Sequence, residues 1–378
     1  MDNLNEPPVE NPVENSLGSK SGNEKKMKKM YSIYALAITI FGVVVTLLQF
    51  LGSLFGENVL HIDVSESSWF PFLNIIIPMY VICFPILFLV LRKQEVVKPE
   101  RHKLSVGKYL LFIPLMAAMI GVGAVIGITL NLLITLPFGV NPMQSTEISS
   151  VMMNSNPFWR IITAGILAPI VEETIFRKFL IDRTYRYGEW VAILTSGIMF
   201  GLFHGNFAQC FFAAFIGGLF AYIYIRTGQV WYTIGLHMIL NLSTSVITMA
   251  VAKPYLSVGA DKISEYSEVS QQYLLSGGNP ELEERLMTLA GEIIPKMAPY
   301  MLWTSFMGMV MLAGIVLWII FLVKKKVVIK TAPDQVKGGM KFAWGNIGMV
   351  LFLIYSVVSF VFGYISIIAN YGGKFSLQ

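Results

Sequence analysis

Charge is scarce in this chain. Asp, Glu, Lys and Arg make up 13% of its 378 residues, about half of what a soluble globular domain carries. That excludes a charge-rich disordered chain and a coiled coil. Cysteine is scarcer still: Cys83 and Cys210 both lie in apolar runs, so neither a disulfide framework nor a cysteine metal site is available. Histidine occurs four times, few enough that each position carries information. No internal repeat of fixed period is found. The formal charge of +5 would raise nucleic acid as a partner in a soluble protein. Here no nucleic-acid partner is expected, because the basic residues fall in short loops between apolar runs.

Apolar residues, by contrast, make up 55% of the chain, in runs long enough to cross about 30 Å of hydrocarbon, which takes roughly 20 residues. The runs predict nine helices, near 31–55, 70–91, 109–137, 158–180, 190–204, 208–225, 229–250, 298–323 and 343–370. The fold class is therefore all-α, a polytopic transmembrane bundle in a lipid bilayer, with the cell membrane as its expected location. With the N-terminus placed in the cytoplasm, 22 of the 28 Lys and Arg residues fall on the inner side, as the positive-inside rule requires. Residues 1–30 are read as a polar, basic, disordered N-terminus. The run from Tyr31 to Phe55 is too long for the core of a signal peptide, so it is read as a retained first span.

The polar stretch 251–297 is expected outside the cell. Asn279-Pro280 reads there as a helix start, and Leu282, Leu286, Leu289 and Ile293 repeat at helical spacing. An amphipathic external helix follows, and the last two spans occupy 298–378.

Ionisable residues inside spans are costly and mark function. They concentrate in 158–250. The fourth span reads Pro169-Ile170-Val171-Glu172-Glu173-Thr174-Ile175-Phe176-Arg177. Glu173 and Arg177, four apart, share a helix face and can neutralise each other. Glu172 points about 100° away and has no local cation; it either reaches toward water or is partnered by another helix or a metal. The fifth span ends Phe200-Gly201-Leu202-Phe203-His204-Gly205. Phe200 and His204 share a face, and Gly205 terminates the helix. The seventh holds His237-Met238-Ile239-Leu240-Asn241, which stacks an imidazole and a carboxamide.

Each pair alone has a plain structural reading, as an ion pair, an interfacial histidine or an interhelical hydrogen bond. Together they form a hydrolytic kit. A carboxylate can take a proton from water, histidine can bind that water or a metal, and N–H donors can stabilise an oxyanion. Zinc on Glu172, His204 and His237 is chemically reasonable, although the spacing is not HExxH. No organic cofactor is indicated. Ser196, Thr195 and Cys210 have no base at an evident spacing, so no covalent nucleophile is expected. One geometric tension remains: from the inner boundary Glu172 and His237 lie about 12 Å deep, and His204 about 21 Å.

These motifs resemble the CAAX-protease and bacteriocin-processing (CPBP, or Abi) family of intramembrane proteases, related to the type II CAAX prenyl endopeptidases. Glu172-Glu173 with Arg177 is similar to its EExxxR motif, Phe200 with His204 to FxxxH, and His237 with Asn241 to HxxxN, in the family's order. The resemblance covers 158–250 and implies a catalytic core of four helices there. It implies that Glu172, with His204, activates the attacking water, and that His237 and Asn241 bind or polarise the scissile carbonyl. Glu173 completes that catalytic set, and with Arg177 it holds the fourth helix; Phe200 supports the site. Relatives are usually classed as metalloproteases. Their substrates are prenylated CaaX proteins or secreted peptides, so a membrane-associated peptide is the implied substrate. Two other readings stay open at this stage, a non-catalytic immunity or partner protein and an ion-coupled transporter.

Overall fold

The computed structural model describes residues 12–64, 67–140 and 156–371. Residues 1–11 of the expected N-terminal segment, and 141–155 between the third and fourth spans, lie outside that range. The described residues are helical with no strand. Eleven elements follow in order: α1 (Pro12–Asn58), α2 (Phe70–Leu91), α3 (Val106–Phe138), α4 (157–184), α5 (Glu189–Phe203), α6 (Phe207–Thr227), α7 (Val230–Leu256), α8 (Ala260–Leu275), α9 (Pro280–Val323), α10 (Gly339–Trp344) and α11 (Ile347–Tyr371).

Each of the nine predicted spans is a helix. Seven of the described helices, α1, α2, α3, α6, α7, α9 and α11, are long and apolar enough to cross a membrane on their own. The other two, α4 and α5, hold the glutamates and His204. Helix α5 has 15 residues, about 22 Å of rise, too short to span alone. Helix α4 is interrupted by two π-helical stretches, Ile161–Leu167 and Thr174–Phe179. Such irregular, polar-bearing helices survive in a bilayer only where protein encloses them, and that is their setting here. The core around them is built from Met27, Tyr31, Tyr34 and Ile38 of α1, Ile175, Phe176 and Phe179 of α4, Met199 and Phe200 of α5, and Met349 and Phe352 of α11.

Two expectations need correction. Lys25–Lys29, assigned to a disordered leader, are helical within α1, and Met27 is fully buried. The buried face of the first span runs one turn further back than its apolar run shows. The stretch 251–297, expected to hold one separate external helix, instead forms a helical hairpin. Helix α9 starts at Asn279 as predicted, with the Asn279 side chain accepting from Glu281 N–H at 2.9 Å. It then continues without a break into the eighth span, 44 residues in all. Helix α8, whose Ile263, Tyr266, Val269 and Tyr273 recur at helical spacing and are partly buried, is also joined to it by ion pairs Lys262–Glu292 and Arg285–Glu265.

Bilayer helices gain little from burying apolar surface, so close approach through small residues carries their packing. Helices α5 and α6 meet through Gly197, Gly201 and Gly217: a Cβ on Gly197 would come within 2.6 Å of Ala214 O. On the opposite side of α6, Gly123 and Gly127 of α3 bring its backbone against Phe212 and Phe207. Helix α6 is thereby clamped between α5 and α3, which fixes the frame behind the histidine-bearing turn.

Candidate active site

Helix α4 presents its two glutamates to different surroundings. Glu173 has no exposed side-chain surface, and Glu172 keeps 18% of its own. The carboxylate of Glu173 forms the predicted ion pair with Arg177, Oε2 to Nε 3.0 Å, with both side chains fully enclosed. Its other oxygen, Oε1, lies 2.9 Å from Nδ1 of His237 on α7. Paired with Arg177, Glu173 is the acceptor there, so the imidazole donates from Nδ1 and turns Nε2 the other way. That nitrogen lies 3.7 Å from Oε2 of Glu172, too far for a direct hydrogen bond and close enough for one water to bond both groups. The partner that Glu172 lacks on its own helix is therefore His237.

Phe200 of α5 links the remaining groups. The Arg177 guanidinium carbon sits 4.4 Å from its ring centroid, and the ring of Phe220 lies 5.6 Å away on α6. Both terminal nitrogens of Arg177 are buried without a hydrogen-bond partner; the aromatic faces take that place through cation–π attraction. The imidazoles of His204 and His237 both meet the Phe200 ring edge-on, with centroids at 4.8 and 5.9 Å. The depth difference expected for His204 is thus bridged by a single phenyl ring. His204 caps α5, and Gly205 follows with φ +67°, the left-handed geometry that favours glycine. Nδ1 of His204 lies 2.8 Å from Phe200 O, which makes it the donor to that carbonyl and leaves Nε2 free. Asn206 closes the turn, donating to His204 O at 3.0 Å.

Asn241 stands one turn beyond His237, and one of its two amide N–H groups donates to Ala164 O on α4 at 2.8 Å. Ser196 and Thr195 are engaged as well: Ser196 Oγ donates to Phe176 O at 2.8 Å, and Thr195 accepts from Trp344 Nε1 at 3.2 Å. Cys210 is buried and apolar in its contacts.

A metal is the cofactor this donor set brings to mind, since imidazole and carboxylate suit zinc. Among the described residues, however, no three His, Cys, Asp or Glu side chains converge closely enough to hold an ion. In this arrangement the set of Glu172, His204 and His237 does not form such a site.

Three contributors escape the motif reading. Ser196, Phe200 and His204 are spaced i, i+4, i+8 on α5, so Ser196 was there to be found from periodicity. Phe220 and Tyr34 were not, because nothing local in α6 or α1 distinguishes them from ordinary core aromatics. Tyr34 OH donates to Ile175 O at 2.6 Å.

Comparison with known proteins gives two matches. Residues 154–243, the segment from α4 into α7, match the family described as type II CAAX prenyl endopeptidase Rce1-like. A protein of Bacillus subtilis (strain 168) named "Putative membrane peptidase YdiL" is 29% identical over 119 residues, which is 31% of this chain and 45% of that protein. The chain thus spans less than half the length of this curated relative. No solved structure matches significantly. Glutamate pair, two histidines and asparagine all stand on the segment that matches, so it is over residues 154–243 that this multi-pass membrane protein is similar to the type II CAAX prenyl endopeptidase Rce1-like family.

Proposed function

We propose that the protein is an intramembrane endopeptidase that hydrolyses a peptide bond in a membrane-associated peptide or protein. One observation carries the reading. Glu172 faces Nε2 of His237 across 3.7 Å, while the other side of that imidazole is held by a buried carboxylate that is itself held by an arginine. The partly exposed acid is then the base, and the buried one is the orienter.

In the proposed reaction a water bonded to Glu172 attacks the scissile carbonyl carbon, and Glu172 takes its proton. Nε2 of His204, free because Nδ1 is engaged, accepts from the same water and aims its lone pair. The developing oxyanion is met by the N–H of Asn241 that Ala164 leaves unused. The proton held by Glu172 then passes to the departing amine, and Nε2 of His237 relays it if the amine leaves on that side. Burial in a low-dielectric bundle strengthens each of these interactions. General base catalysis of this kind contributes roughly 10²–10⁴-fold.

The test uses the full chain in liposomes with a quenched library of membrane-associated peptides, prenylated and unmodified. Cleavage by the wild type, lost in both Glu172→Ala and His204→Ala, is the expected result. Cleavage that persists in both variants, or none by the wild type on any peptide, would remove the peptidase reading.

A further inference from the structure

We propose that Tyr34 and Ser196 are positioning residues for this site: they hold open the π-helical turn Thr174–Phe179, and through that turn they set the glutamate pair against His237. The proposal rests on the peptidase reading for its kinetic consequences, and on geometry alone for its structural one.

The turn begins directly after Glu173 and contains Arg177. At its end Leu180 N–H reaches back five residues to Ile175 O, the wider ladder that defines a π-helix. Short π stretches are rare and recur at functional sites. Opening the ladder leaves room at its carbonyls for a further donor, which in a medium without water must come from protein. Two of these carbonyls have a side-chain donor from another helix. Tyr34 OH, from α1, donates to Ile175 O at 2.6 Å, and Ser196 Oγ, from α5, donates to Phe176 O at 2.8 Å. Both donor side chains are fully buried. The same device recurs at the other π stretch of α4, where Asn241 donates to Ala164 O.

Losing a donor favours the tighter α ladder, and tightening by one residue rotates one side of the turn against the other by about 100°. The inner side cannot follow. Asp182 accepts from Tyr224 OH at 2.6 Å, and Arg183 donates to Leu91 O at 2.5 Å and to Phe179 O at 2.8 Å. The rotation therefore falls on the side that carries Glu172 and Glu173. Ser196 has a second lever, because its bond to Phe176 sets the register of α5 on α4. Phe200 and His204 stand one and two turns further along the same face, and Phe176 packs edge-on against Phe200 at 5.2 Å. Tyr34 lies outside the segment that matches the family, so α1 would serve catalysis as well as packing.

The experiment compares Tyr34→Phe, Ser196→Ala and Ser196→Thr with the wild type, in the full chain. Ser356→Ala is the control, since Ser356 is buried in α11 and bonds only its own helix at Phe352 O. Two readouts are taken: kcat and KM on a peptide that the wild type cleaves, and the ring ¹⁵N–¹H signal of His237 in histidine-labelled protein. We expect kcat to fall roughly 10- to 100-fold in Tyr34→Phe and Ser196→Ala with KM little changed, as for a group that acts on the transition state alone. Ser196→Thr, which keeps the hydroxyl, should recover most of the rate, and Ser356→Ala should match the wild type. The His237 Nδ1–H signal, set by its bond to Glu173, should move in the two damaging variants and stay in the two others. Unaltered kcat and an unaltered His237 signal in folded Tyr34→Phe and Ser196→Ala would overturn the proposal, even if their melting temperatures fell. If the wild type cleaves nothing, the peptidase reading fails by itself, and the His237 signal still decides whether the π turn is held by these hydroxyls.

Discussion

At the scale of single residues, the site separates two adjacent carboxylates by environment. Glu173 is committed to Arg177 and His237, whereas Glu172 keeps an open side. The committed pair is costly to disturb in isolation. Removing one partner of a buried ion pair leaves an unpaired charge in a low-dielectric interior, worth about 3–5 kcal/mol. Arg177→Met should therefore lower unfolding stability in detergent by roughly that amount. The double variant Arg177→Met with Glu173→Gln should recover part of it, because it strands no charge. A double variant no more stable than the single one would show that the loss comes from the Phe200 and Phe220 contacts instead. This pairing was legible from a spacing of four. The partner of Glu172 was not, because it comes from a helix more than sixty residues away.

Among the elements, α5 and α6 form a closely packed pair. A Cβ on Gly201 would meet Ala214 Cβ at 2.7 Å and Ala214 N at 3.0 Å, so the two helices leave no room for a methyl group. Overpacking a well-filled contact costs about 1–3 kcal/mol. Gly201→Ala should lower the melting temperature accordingly and reduce cleavage, since the same helix ends in His204. Ala214→Gly should rescue only part of the loss, because the backbone of α6 remains in place; full rescue would contradict the close-approach account. At one end of the bundle the 92–105 and 324–338 connections are tied together. Arg186 joins them, bonding Glu95 at 2.8 Å and Asp334 at 2.5 Å. Partial burial opposes its charge, and these two carboxylates outweigh that, holding the guanidinium above its ordinary range. The existence of the nine span helices was legible from apolar run length, and that of the polar α8 was not. The π stretches of α4 were not, because they arise from donors on other helices, and no local pattern announces them.

For the whole molecule, the segment that matches the family carries the proposed reacting groups, and the surrounding helices hold them. Tyr34 of α1 reaches the π turn. Tyr364 of α11 donates to Asn131 of α3 at 2.7 Å, and its oxygen lies 3.4 Å from Phe207 N–H, at the start of α6. The motifs named their own residues because each pair sits within one helix, four apart. Their convergence through Phe200 could not be read from the chain, since inner-boundary counting placed His204 about 9 Å deeper than its partners. The hairpin of α8 and α9 was half legible, from the cap at Asn279 but not from the ion pairs that dock α8. The measurement that bears most directly on the account is the single-turnover cleavage rate of Glu172→Gln in liposomes, on the best peptide substrate. This change keeps the shape of the side chain and removes its basicity. The account predicts a loss of at least about 100-fold with peptide binding retained; a rate within a few-fold of the wild type would contradict it.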